Sequence, residues 1–274
     1  MEQKQIQGAV LFFAECDREA AEWIGRGAEE GLRLARAHWG LAPAGELRVH
    51  VMSSWPGFTF QSAPWTWRPL LALTLPLWAA RMARIWKIAG GWSQRYGKRL
   101  AVGVKPPRLL QVGNHSPGKR VFLPEADKEE KARHMACHEV IHACSAHLKP
   151  PAWLNEGLSM YSVDLLLQKA TVRPDTVSLL AKSPAPVQVA EDPRRRSRKY
   201  PAFSARAPEE FIRCFVQGYW RVRFLEETRP GLLKELLAAK RRPDEWLEAI
   251  TSACNLSIAS WAEMDEMVAK HYQG

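Results

Sequence analysis

The chain has 274 residues, 46% of them hydrophobic and 25% charged, with a formal net charge of +10. That length suits one large domain or two small ones, and the apolar content supports a packed core and excludes a disordered tail. The cysteines (Cys16, Cys137, Cys144, Cys214 and Cys254) are odd in number, scattered and without a Cys-x-x-Cys pair, which argues against a disulfide framework and for reduced thiols in the cytoplasm.

In chain order, the start through Gly8 and the short apolar run after it are too brief and wrongly flanked for a signal peptide. Ala9–Ala14 reads as a buried strand, and Asp17–Trp39 as a long helix with arginine and glutamate on its wet face. Glu46–Met52 alternates as a second strand, and 53–68 is a loop rich in tryptophan and proline. Residues 69–99 read as a basic insertion. Leu109–Val112 and Val121–Leu123 are expected short strands around a turn at 114–118. Ala126–His147 is a helix that Pro150 and Pro151 end, and Asn155 to about Lys169 is another. Residues 170–208 look loop-like. Glu209–Glu227, Gly231–Lys240, Pro243–Cys254 and Ile258–Tyr272 make a helical C-terminal half. The expected class is α+β: a small N-terminal mixed sheet with helices over 1–148, carrying a tryptophan-rich insertion at about 53–99, and a helical part over 149–274.

Charge is unevenly distributed. No acidic residue occurs between Glu46 and Glu125, an interval holding twelve Lys and Arg and six of the twelve tryptophans. Its apolar stretch Pro69–Ala80 is too short to span a bilayer. From Trp78 to Ile88 the helical period sets Arg81, Arg84 and Lys87 on one side and Trp78, Met82, Ile85 and Trp86 on the other. Two readings stay open. Residues 69–99 lie on an anionic membrane surface, or the segment packs its apolar face on the domain and leaves its cations in water. Nucleic acid is not expected, since no base-reading motif accompanies the charge.

Residues 138–142 read His-Glu-Val-Ile-His. On a helix His138 and His142 project from one face a turn apart, so both imidazoles reach one metal ion. Glu139 sits at the edge of that face, placed to touch a metal-bound water without ligating. Glu156, fourteen residues after His142, supplies a third ligand. Three ligands and an open fourth position are the pattern of a catalytic zinc site, one ion per chain, whose water the glutamate deprotonates. The bland alternatives are a solvent-facing helix with fortuitous histidines and, for Glu156, a carboxylate favoured by a helix N-terminus. His134 continues the stripe but suits packing, because one straight helix cannot wrap three imidazoles around one ion.

The segment Pro151-Ala152-Trp153-Leu154-Asn155-Glu156-Gly157-Leu158-Ser159-Met160-Tyr161 resembles the second ligand helix of short bacterial gluzincin-like metallopeptidases. The resemblance is sharp over 134–161 and weaker over 211–238, where Phe-x-x-Gly-Tyr precedes Phe-Leu-Glu-Glu. It implies a zincin-like fold, peptide or protein substrates, and hydrolysis with Glu139 as general base. In that family an aspartate follows the ligand glutamate by four residues; here Met160 stands there, so support for a ligand histidine falls to Asn155 or Asp164. The family's oxyanion tyrosine falls on Phe215 by register, and Tyr219, one turn later, is the substitute candidate, with a core tyrosine as its alternative. The resemblance also implies that the last strand before the metal helix, expected at Arg120–Pro124, borders the cleft. A zinc-stabilised binding protein without catalysis, contacting membrane or another polyanion through the insertion, is the rival from another class. The long loop holding Arg194, Arg195, Arg196, Arg198 and Lys199 either selects acidic substrates or closes over bound peptide, or is simply solvated.

Overall fold

The structure, a computed structural model, describes residues 1–110, 117–181 and 208–273, with the backbone alone at 81, 84, 88, 117, 181 and 208–211. The expected turn at 114–118 falls largely outside the described residues, as do the end of the expected strand 109–112 and the basic stretch 194–199. The class is α+β, as expected. Two compact units divide the chain.

The first unit comprises Met1–Ala35, Ala42–Asn114 and Glu125–His147. It is built on a mixed sheet of strands β1 (Glu2–Ile6), β2 (Ala9–Phe13), β3 (Glu46–Val51), β4 (Gly91–Tyr96) and β5 (Arg99–Val104), in spatial order β1-β2-β3-β5-β4. The central pairs β2–β3 and β3–β5 are parallel, and both edge pairs are antiparallel hairpins. Each hairpin closes through a two-residue turn whose glycine, Gly8 or Gly97, has positive φ, the geometry such turns require. Helices α1 (Arg18–Ala37), α2 (Trp55–Ser62), α3 (Arg68–Ile88) and α4 (Lys128–Ser145) complete the connections.

Three expectations change here. Residues 53–68 are not all loop, because Ser54 caps α2 by accepting from the Gly57 amide at 3.2 Å and Pro56 occupies its first turn. The basic insertion is not one element: α3 ends at Ile88 and β4 begins at Gly91. Nor is Arg120–Pro124 the last strand before α4. Phe122 makes one isolated antiparallel bridge to Val172 in the second unit, and the strand that precedes α4 is β5. Its run Leu100–Val104 is buried throughout, the mark of a central strand covered on both faces.

The core of this unit holds a titratable group. His50 on β3 is 2% exposed, stacked on Phe12 at 4.8 Å and edge-on to Phe58. Burial, helped by Arg48 and Arg99, holds its imidazole down at about 4, against an ordinary 6.5. The unfolded chain therefore binds a proton below 6.5 that the folded chain refuses until about 4, so stability falls as pH falls through that window. The loss attributable to His50 is on the order of 3 kcal/mol. Urea unfolding of wild type and His50→Leu at pH 7 and pH 4.5 is expected to show a smaller acid loss in the variant; equal losses would assign the effect elsewhere.

The second unit comprises Arg36–Leu41, His115–Pro124 and Leu148–Gly274. Its helices are α5 (Ala152–Leu167), α6 (Ser178–Ala181), α7 (Pro208–Thr228), α8 (Leu232–Leu237), α9 (Trp246–Cys254) and α10 (Trp261–Gln273). Helices α5 and α7 cross at backbone contact. A Cβ on Gly157 would lie 2.2 Å from the Gly218 carbonyl oxygen, and one on Gly218 would lie 2.2 Å from that of Trp153. Trp39 is buried and donates from Nε1 to Ser162 Oγ at 2.7 Å. Among the described residues no helix is long and apolar enough to cross a membrane.

Candidate functional site

Helix α4 is placed by its surroundings on two sides. Asp127 caps it, accepting from the Glu130 amide at 2.8 Å. On one side Gly27 and Gly31 of α1 face the backbone of Arg133 and Cys137, where a Cβ would come within 2.6 and 3.1 Å. Arg133 fixes that approach with two hydrogen bonds to Glu30 Oε2. On the other side Gly90 and Gly91 leave room for Met135 and Glu139. A Cβ on Gly91 would sit 2.4 Å from Glu139 Cγ and 2.8 Å from its carboxyl carbon. The general-base candidate is thus seated against the backbone at the start of edge strand β4. Gly91 was not singled out from sequence; the available signal was the Gly-Gly pair opening a hairpin whose turn carries Gly97.

His138 and His142 are 6% and 8% exposed, with their Nε2 atoms 3.0 Å apart and rings perpendicular. Glu156 on α5 is 5% exposed. One ligand atom from each of the three lies within 4.8 Å of the others. The Gly157–Gly218 contact explains why glycine follows the glutamate: a side chain there would push α5, and Glu156 with it, off α7. His134 is buried and its Nδ1 stands 3.5 Å from Glu125 Oε1. Burial raises the Glu125 carboxyl, but His134 and then Lys131 outweigh it and hold it at about 2. Cys137 and Cys144 are free and buried on the same helix, and burial pushes the Cys137 thiol up.

Tyr219 lies within the second unit, fully buried. Its hydroxyl donates to Asp164 Oδ2 at 2.6 Å and accepts from Arg223 at 3.1 Å. Asp164 also accepts from the Thr171 amide and hydroxyl. Burial, and next to it the Asp164 charge, push the Tyr219 phenol upward. This is the bonding of a core tyrosine that ties α7 to the last turn of α5. Phe215 packs edge-on against Phe122 at 6.0 Å. Asp164, one of two residues suggested for supporting a ligand histidine, is engaged with Thr171 and Tyr219.

The donor set is what a divalent zinc ion takes: two imidazole nitrogens and a carboxylate oxygen. Two nitrogens on one tetrahedral zinc at 2.0–2.1 Å stand about 3.3 Å apart, close to the separation between His138 and His142. No protein-family model matches the chain, and no curated protein matches it.

Proposed function

We propose that this chain is a single-zinc peptide hydrolase of the gluzincin type, acting on peptide or protein substrates. The observation that carries the reading is the convergence of buried His138, His142 and Glu156 ligand atoms within 4.8 Å, with Glu139 next to the first of them in the chain. These three residues hold the ion, and a zinc there supplies Lewis acidity toward a carbonyl oxygen and toward water. Glu139 takes a proton from the attacking water and returns it to the leaving amine. Edge strand β4, which begins at Gly91 beside Glu139, offers backbone groups to an extended substrate.

The test is metal analysis of the purified full chain together with turnover of a broad peptide library. One zinc per chain is expected, lost in His138→Ala, with cleavage that a chelator abolishes. Failure to take up stoichiometric zinc overturns the reading. Stoichiometric zinc without turnover of any peptide overturns the catalytic part and favours the rival, a zinc-stabilised binding protein.

A further inference from the structure

We infer that the segment from Trp65 through the first half of α3 is a docking surface for an anionic phospholipid membrane. The inference does not rest on the zinc reading. Large exposed hydrophobic side chains among the described residues number seven, and five of them, Trp65, Trp67, Leu70, Leu73 and Leu77, fall within thirteen consecutive residues. Leu73 and Leu77 are 79% and 85% exposed. From Trp65 through Ala80 not one residue is buried. A helical stretch this apolar belongs in a core or in lipid, and among the described residues none covers Leu70, Leu73 or Leu77.

The second half of α3 behaves oppositely. Met82 and Ile85 are buried, and Trp86 packs on the cluster of Met52, Phe58 and Ala101. Lys105, itself buried, places its ammonium 4.1 Å from the centre of the Trp86 ring and donates to the Trp86 carbonyl oxygen near the helix C-terminus. That is where a cation complements the helix dipole. Trp55 packs edge-on to Trp78 at 4.6 Å on the inner side. The helix is therefore held through its buried C-terminal half and, just before its start, by Trp67, whose ring meets Tyr96 at 5.9 Å, while the exposed Leu70, Leu73 and Leu77 form a stripe at i, i+3 and i+7 on its outer side. In the helical register, positions 81 and 84, both arginine in the sequence, continue the line of that stripe.

Leucines toward the helix N-terminus, followed in the same register by the arginines of positions 81 and 84, match the depth profile of a bilayer surface, with acyl boundary first and phosphates next. Charge complementarity selects the anionic kind. The interval from residue 47 to residue 124 carries twelve Lys and Arg and no acid. Setting aside buried Lys105 and the cations paired with Glu46 and Asp17 (Arg48, Arg99 and Arg108), Arg68, Arg81, Arg84 and Lys87 belong to α3 itself, and cations near an anionic leaflet are drawn to it. The exposed tryptophans suit the interfacial level, where one part of the ring is apolar and the other wet. Twelve apolar residues, Pro69–Ala80, make about 18 Å of helix, close to the ~15 Å of one leaflet's hydrocarbon and far below a full span.

The test uses the full chain with vesicles of phosphatidylcholine alone and of phosphatidylcholine with phosphatidylglycerol, in flotation at low and high salt. Binding is expected to the anionic vesicles, weakened by salt because exposed charges are screened within about 10 Å at 0.1 M. Leu70→Ser/Leu73→Ser/Leu77→Ser is expected to weaken binding about tenfold or more, since apolar insertion scales with buried area. Arg81→Gln/Arg84→Gln is expected to weaken it and flatten its salt dependence. Circular dichroism must show both variants folded, a condition that the exposure of Leu70, Leu73 and Leu77 favours for the first. No binding to either vesicle, equal binding to both, or undiminished binding by the leucine variant overturns the inference. So does a dimer of this chain that the leucine variant dissociates while vesicles remain unbound.

Discussion

Replacing Glu139 with glutamine should leave one zinc per chain and lower peptide hydrolysis by ~100-fold or more, the usual scale for removing a general base. The substitution keeps the shape of the side chain and removes only its capacity to take a proton. Retention of zinc follows from the ligand set, which does not include Glu139. The side chain is seated where one atom is absent opposite it: a Cβ on Gly91 would lie 2.4 Å from its Cγ. Gly91→Ala should therefore reproduce part of the same loss with zinc kept, because the carboxyl must shift by more than the fraction of an ångström that productive geometry tolerates. Single-turnover cleavage with parallel metal analysis separates the cases. If Glu139→Gln cleaves like the wild type, some other group is the base. If it loses zinc, the residue belongs to the metal's own support.

What could be read from the sequence follows the range of each interaction. The His138–His142 spacing is local, one turn of one helix, and survives any error about the rest of the fold. Helices α1, α4, α5 and α7 were legible because each carries its own period or its own stops, such as Pro150-Pro151 after α4. Strand β1 was not, since Glu2-Gln-Lys-Gln-Ile6 is a largely exposed edge with no apolar pattern to betray it. Strand β4 was hidden by charge: Arg95, Lys98 and Arg99 made 69–99 read as insertion, whereas Arg95 and Lys98 lie on or beside the hairpin end, and the sequence reading assigns no element to Leu100–Val104, which is core. The seat of Glu139 on Gly91 was illegible for a different reason, being a long-range contact made through a missing side chain. The Gly157–Gly218 crossing is of the same kind, although both glycines stand inside segments that the resemblance marks.

The largest stability effect is expected at a third feature with no sequence signature, the ion pair of Arg221 and Asp265, 44 residues apart. Arg221 is 1% and Asp265 3% exposed. The guanidinium donates twice, at 2.6 and 2.8 Å, and Gln217 donates to the same carboxylate at 2.8 Å. The cation also faces the Trp261 ring at 4.5 Å and the Trp153 ring at 5.3 Å. Asp265→Ala strands a buried positive charge and should cost about 3–5 kcal/mol, whereas removing both charges for apolar groups of similar volume is close to neutral. Urea unfolding of Asp265→Ala, Asp265→Asn and Arg221→Met/Asp265→Leu should thus rank the alanine variant lowest, with the double variant recovering most of the loss. A deficit below about 1 kcal/mol in Asp265→Ala would mean that water reaches Arg221 and the pair is not a sealed one. The consequence extends to the proposed metal site, because Trp153 stands in the first turn of α5, one turn before Glu156. A loosened Arg221 withdraws the cation that packs on that turn, so zinc in folded Asp265→Ala should pass to a chelator faster than from the wild type. Arg221→Met/Asp265→Leu, which refills the space over Trp153, should hold it longer than Asp265→Ala does.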